Sequence, residues 1–265
     1  MIGAIIGDIV GSRFEFHNHR SKEFDLFTED CFPTDDSIMS LAIAQAILKS
    51  DPAKNDFSKN AVKCMQELGR HYPDCGYGGR FYGWMFSDKP KPYYSFGNGA
   101  AMRVSACGWA AQSLDDDIRM ADAVTGVTHN HPEGYRGAEA TAVAVYLART
   151  GMSIQDLRSF IEKRFYTISF TLDEIRPTYR FNETCQETVP QAMEAFFESK
   201  GFEDAIRNAI SIGGDSDTLA AITGGIAEAY YGVPEDIRAS AIAYLDDRLR
   251  PILYEFENVY PAKTL

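Results

Sequence analysis

Two short acidic clusters lie near opposite ends of the chain, Thr34-Asp35-Asp36 and Gly213-Gly214-Asp215-Ser216-Asp217-Thr218. Each joins carboxylates to a threonine hydroxyl, the oxygen donors that hard divalent cations prefer. Carboxylates this close repel one another, and buried ones need a cation or a partner. A core that brought both clusters together would hold one or two Mg2+ or Mn2+ ions. Each cluster also reads as a helix start: Thr34 or Asp35 can accept first-turn amides, and the helix dipole favours acids there. Capping needs one oxygen, however, and Thr34-Asp35-Asp36-Ser37 supplies four side chains in a row. Asp-x-Asp likewise sends two carboxylates from one loop, and Gly213-Gly214 lets the backbone turn tightly beside a ligand.

Further residues have weaker chemistry of their own. Asp8 and Glu15 are seven apart, which is two helical turns and one face. Such a pair is either a solvated stripe or a pair of perturbed acids. Asp8 sits among apolar neighbours and Glu15 between Phe14 and Phe16, where a carboxylate can have a raised pKa or act as a general base for water. Gly97-Asn98-Gly99, ahead of a helical pattern, makes an amide-rich turn suited to a phosphate or to sugar hydroxyls. Arg103 falls on the helix that follows, where its role could be structural. His129-Asn130-His131 lacks a cysteine or third histidine at zinc spacing. His17 and His19 lack the repeated strand–helix units of a metal-binding barrel, so zinc is discounted.

The elements that must position these residues are helices. Apolar spacing predicts them over 36–49, 57–70, 116–127, 137–150, 153–164, 184–198, 202–211, 217–231 and 235–248. The opening segment is also helical, and its Gly3, Gly7 and Gly11 make a stripe without side chains that permits close approach of another helix. Small residues crowd 217–229 in the same way, so the two helices are expected to be neighbours at the bundle centre. The best strand candidate, 164–172, has nothing obvious to pair with. Three stretches read as irregular: 16–34, 72–99 and 165–183. The middle one is rich in Gly, Tyr, Phe and Trp, which suits a lid or binding loop.

The whole chain, 265 residues of which 45% are hydrophobic, is expected to form one domain over 1–265. A net charge of −12 argues against general nucleic-acid binding, yet a phosphate-bearing ligand held locally is compatible with it. The five cysteines are odd in number and contain no Cys-x-x-Cys pair. No signal peptide opens the chain, and no apolar run approaches ~18 residues. The expectation is a soluble, reduced, cytoplasmic protein with no membrane partner, working as a monomer.

Taken together, the motifs resemble the ADP-ribosylglycohydrolase family, the group that includes the glycohydrolase reactivating dinitrogenase reductase. The matching residues are Gly3-Ala4-Ile5-Ile6-Gly7-Asp8 with Glu15, Thr34-Asp35-Asp36-Ser37, Gly97-Asn98-Gly99-Ala100-Ala101-Met102-Arg103, Thr128-His129 and Gly214-Asp215-Ser216-Asp217-Thr218. They occur in the family's order and cover roughly 1–232. The resemblance implies an all-α, compact single-domain bundle around a dinuclear site of two Mg2+ or Mn2+ ions. Thr34, Asp35, Asp36, Asp215, Asp217 and Thr218 match the metal-ligand positions. Glu15 matches an acid close to the metals and the scissile ribose; it or one of Asp35, Asp36 and Asp215 would take a proton from water. Gly97, Asn98, Gly99 and Met102 match a loop around ADP-ribose, with His129 near the ligand. The loop amides would meet the diphosphate, and Tyr77, Phe81, Tyr82, Trp84 or Phe96 would stack on adenine. The activity so implied is hydrolysis of the glycosidic bond between ADP-ribose and a modified protein side chain or a small-molecule acceptor. Arginine is favoured, because a guanidinium leaving group suits acidic surroundings. Two alternatives compete. One is a metal-dependent phosphohydrolase, whose nucleophile motif Asp215-Ser216-Asp217-Thr218-Leu219 resembles but does not reproduce. The other is an ADP-ribose reader without turnover, against which the intact acids argue.

Overall fold

The computed structural model describes residues 1–54 and 56–262. Among them are fourteen α-helices and no strand. In chain order these are α1 (Ile2–Gly11), α2 (Asp35–Lys49), α3 (Phe57–Gly69), α4 (Gly79–Met85), α5 (Ser105–Ala110), α6 (Leu114–Thr125) and α7 (Pro132–Arg149). There follow α8 (Ile154–Arg164), α9 (Leu172–Ile175), α10 (Cys185–Phe197), α11 (Phe202–Ser211), α12 (Ser216–Tyr231), α13 (Glu235–Ile242) and α14 (Leu249–Val259). The fold is an all-α bundle, as the periodicity requires.

Its axis is the α1–α12 pair. All of α1 is buried, as is α12 from Ser216 to Ala229. The glycine stripe explains how two backbones meet there. A Cβ on Gly7 would stand 1.9 Å from the Ala220 carbonyl oxygen, and one on Gly3 2.3 Å from that of Gly224. On Gly11 it would stand 2.5 Å from the Cα of Asp217. Any side chain would force the helices apart, and a close-packed interior has no slack to absorb it. The stripe therefore sets Asp8 of α1 against the N-terminal turn of α12, where Asp217 lies. α2 and α10 pack on this axis, and α11 closes one side of it.

Several boundaries differ from the sequence reading. α7 begins five residues early, because Pro132 takes the first turn and His131 Nδ1 accepts the Glu133 N–H at 3.0 Å. The helix expected over 235–248 stops at Ile242, and a separate α14 follows. The signal for α14 was present: Leu249, Ile252, Leu253 and Phe256 recur at helical spacing and are buried. Pro251 sits in its first turn, where a missing N–H is tolerated. Residues 164–172 form no strand. Tyr166 and Ile168 do alternate into the core, but as extended chain with no ladder, and Leu172 already opens α9. The aromatic stretch 72–99 contains the short α4, which buries Phe81, Trp84 and Met85.

Candidate metal centre and ligand cavity

The N-terminus of α2 is fastened from below by Asp8. Its carboxylate accepts the Thr34 N–H (2.9 Å), the Thr34 hydroxyl (2.6 Å), the Ser37 N–H (3.1 Å) and the Ser37 hydroxyl. Burial still pushes Asp8 up to about 6 against these four bonds. So engaged, Asp8 fits an anchor better than a free base for water. Thr34 does cap the helix, its Oγ1 accepting the Asp36 N–H at 3.3 Å. The capping reading is thus right for Thr34, and it leaves both aspartates free to face the cavity. Asp35 donates its own N–H to the Cys75 carbonyl at 2.7 Å, and its half-buried side chain lines the cavity.

The second cluster arrives through a left-handed turn. Gly213 and Gly214 have φ of 70° and 81°, a region that glycine enters without strain. Asn18 clasps Gly214 by both backbone groups at 2.9 and 2.8 Å, and the Tyr179 ring covers it. A Cβ there would stand 2.3 Å from Tyr179 Cε1. This turn delivers Asp215 and Asp217 at the start of α12. The Thr218 hydroxyl then donates to Asp36 Oδ2 at 3.2 Å, which joins the two clusters directly.

The acids converge into two triads, Asp8–Asp36–Asp217 and Glu15–Asp215–Asp217. Within each triad, oxygens lie within 4.8 Å of one another, and Asp217 belongs to both. Burial, then mutual repulsion, holds Asp35, Asp36 and Asp217 well above the usual carboxylate range. Burial raises Asp215 to about 6. Glu15 rises to about 8 through burial and then the charge of Asp217. Among the described residues no Lys or Arg pairs with any of these six acids. Asp36 Oδ1 is buried with no hydrogen-bond partner. A dense, uncompensated all-oxygen set of this kind fits divalent cations.

Five of these acids, all but Asp8, form one end of a cavity of about 330 Å³. The other end is made by the Gly97–Gly99 turn with Phe81, Tyr93, Met102, Arg103 and His129. Asn98 ties the ends together, its Nδ2 donating to Asp215 Oδ2 at 2.7 Å and to Thr188 Oγ1 at 3.2 Å. The turn's amides are less free than expected. Asn98 N–H bonds the Glu183 carbonyl (2.7 Å) and Gly97 N–H bonds Ser95 Oγ (3.2 Å), while Gly99 N–H has no partner among the described residues. Of the aromatics considered for adenine, only Phe81 lines the cavity. Trp84 faces the core and Phe96 packs on His131. Tyr93 is a lining residue that the sequence reading passed over, and so are Arg80 and Glu183. Arg103 lies in the turn before α5 and is fully buried.

Comparison with known proteins agrees with this arrangement. The sequence profile of the ADP-ribosylglycohydrolase family matches residues 1–260. The human protein named ADP-ribosylhydrolase ARH3 is 28% identical, over 92% of this chain and 88% of its own. Its mouse counterpart is 27% identical, over 91% and 85%. Among solved structures, one titled as an ADP-ribosylglycohydrolase-related protein complex superposes with a TM-score of 0.65 at 23% identity, covering 92% of this chain and 94% of that one. The last likeness concerns the fold.

Proposed function

The chain belongs to the ADP-ribosylglycohydrolase family, and on that premise we propose that its acid cluster and cavity hydrolyse the anomeric bond of ADP-ribose attached to a protein side chain. It is a hydrolase of ADP-ribose glycosidic bonds, from a metal-dependent family. The finer reading is a dinuclear Mg2+ or Mn2+ site held by Asp36, Asp215 and Asp217, with Thr34, Asp35 and Thr218 completing the set. Such ions, when bound, supply Lewis-acid activation of water and a grip on the ribose hydroxyls.

This chain's own residues account for the rest. Glu15 is half-buried, faces the shared Asp217 and makes no side-chain hydrogen bond among the described residues. It is therefore placed to take the proton of the attacking water. In the reaction the water oxygen bonds to the anomeric carbon as the bond to the acceptor breaks, and the acceptor leaves with a proton. Asp35, also half-exposed at the cavity, can hold that proton. Asn98 fixes the ligand turn to Asp215, so nucleotide placement and ribose placement are one geometry. Met102 and Phe81 offer apolar contact to the nucleotide, and Gly97 and Gly99 keep the turn narrow enough to admit it.

The observation that carries the reading is the sharing of Asp217 between two acid triads at one end of a nucleotide-sized cavity. Arginine remains the favoured acceptor, since Glu15 and Glu183 line the cavity without a paired cation. The test is ADP-ribose release from arginine- and serine-linked ADP-ribosyl peptides with Mg2+, Mn2+ or EDTA, beside Asp215→Ala. Metal-dependent release abolished by the substitution supports the reading, and the preferred peptide reports the linkage. Tight ADP-ribose binding with no release from either peptide would make the chain a reader instead.

A further inference from the structure

Arg103 is among the largest fully buried side chains, 1% exposed. Among the described residues it has no carboxylate partner, and its Nε is buried with no acceptor. A buried guanidinium left unpaired is expensive, and charged residues are rarely kept inside without a counter-charge. Burial lowers its pKa to about 10, so it stays charged at neutral pH. Its contacts all point to the ligand end of the cavity. Nη2 donates to Thr128 Oγ1 at 2.6 Å and to His129 Nδ1 at 3.2 Å, and the guanidinium carbon lies 5.5 Å from the Phe81 ring centroid.

The donor inventory then settles the histidine. A guanidinium can only donate, whereas a hydroxyl can donate or accept. With Arg103 facing it, Nδ1 accepts, and the Thr128 hydroxyl, itself accepting from Nη2, has Nδ1 at 2.8 Å as a nearer acceptor for its one proton than the Thr125 carbonyl at 3.4 Å. A neutral imidazole that accepts at Nδ1 carries its proton on Nε2. Burial, with Arg103 and Arg80 nearby, holds His129 well below its usual pKa, so the ring is neutral. Nε2 is the nitrogen that faces the ligand turn: a Cβ on Gly99 would stand 3.4 Å from it, and one on Gly97 3.6 Å.

We propose that Arg103 is a positioning residue, locking His129 in the Nε2–H tautomer so that the ring donates a hydrogen bond to an oxygen of the bound nucleotide. The unpaired guanidinium also makes this end of the cavity positive, opposite the acids, and so sets which way an anionic diphosphate lies. This inference rests on the reading of the cavity as an ADP-ribose site, but the tautomer itself does not depend on activity.

The experiment has two arms. Long-range 1H–15N spectra of the imidazoles in the whole protein, assigned with His129→Gln, read the tautomer directly. The expected result is an Nε2–H ring that does not protonate between pH 5.5 and 8, a range that spans the ordinary histidine pKa of about 6.5. An Nδ1–H ring or an imidazolium near neutrality overturns the proposal, whether or not the Arg103 variants fold. In the second arm, Arg103→Met should give a mixed tautomer, with Arg103→Lys, another donor-only side chain, restoring Nε2–H. Arg103→Met should weaken ADP-ribose binding and raise KM about tenfold or more, the worth of one hydrogen bond to a charged group, with kcat changed far less. A folded Arg103→Met with an unchanged tautomer and unchanged ADP-ribose affinity overturns it too. Absence of hydrolysis with a locked His129 would instead fault the functional reading and leave the tautomer standing.

Discussion

The two ends of the cavity answer burial in opposite ways. At one end five carboxylates line the wall with Asp8 buried behind them, and among the described residues no basic side chain pairs with any of the six. At the other, a buried guanidinium without an ion-pair partner and a neutral imidazole face the ligand turn. Either arrangement alone would be a liability to the fold, because unpaired buried charge destabilises by several kcal/mol per ion, roughly. Under the proposed function, the two ends suit a ligand with complementary ends, an anion toward Arg103 and ribose hydroxyls toward Asp217. The difference teaches that these charges are kept for what enters the cavity.

The comparison breaks most completely at Asp217, the acid common to both triads. Asp217→Asn should reduce ADP-ribose release by more than the roughly 10–100-fold that outer-shell partners of a metal site typically contribute. In cation-free protein the same change should raise the melting temperature, because repulsion is relieved. Parallel kinetics and melting in EDTA check both. If activity and stability fell together, the acid would be holding the fold together.

Next in size is the packing that brings the acids together. Gly7→Ala puts a methyl 1.9 Å from the Ala220 carbonyl, so α1 and α12 must separate. The expected loss is about 1–3 kcal/mol in urea unfolding, with weaker metal binding as Asp8 and Asp217 part. Retained stability and full activity would show that the stripe is not what sets the acid spacing.

The acid end should also reveal itself through pH. In cation-free protein Asp8 and Asp215 are raised to about 6 and Glu15 to about 8, against unfolded values near about 4. The folded state then binds more protons than the unfolded state between those limits, so stability falls as pH rises through them. Melting in EDTA should be lower at pH 8 than at pH 5 by at least about 2–4 °C, the effect of 1 kcal/mol in a chain of this size. Added Mn2+ should abolish or reverse the trend. A melting point that rises with pH in EDTA would contradict it.

The smallest effect belongs to an acid outside the cavity. Asp117 on α6 is fully buried, both its oxygens lack partners, and burial raises it to about 8. It has the acid end's discomfort without its convergence. Asp117→Asn should stabilise the protein at pH 8 by about 1 kcal/mol, the scale of one unmade hydrogen bond, and leave ADP-ribose release unchanged. Loss of activity would mean that buried acids away from the cavity also serve the site.

Much of this was legible before any coordinates. Helical spacing and the small-residue stripes gave the bundle and its central pair, because both are local patterns with one packing solution. The two acid clusters gave themselves away by having more oxygens than capping needs. What could not be read was which groups satisfy one another across the chain. Asp8 as the anchor of Thr34 and Ser37, Asn98 on Asp215, and Arg103 on His129 join residues 26 to 117 positions apart, and no periodicity encodes such pairs. The alternation of Tyr166 and Ile168 was real but reported burial of extended chain between α8 and α9, since a ladder needs a partner that sequence alone does not supply. Tyr93 escaped because, in the run Pro92-Tyr93-Tyr94-Ser95-Phe96, nothing in the sequence marks which aromatic turns into the cavity.

The most direct measurement is a crystal of this protein grown with Mn2+, examined for anomalous scattering. The account predicts two strong peaks, each within bonding distance of an Asp217 oxygen, one shared with Asp36 and the other with Asp215. No peak at the acid cluster, or a single one that leaves Asp217 uncoordinated, would contradict it.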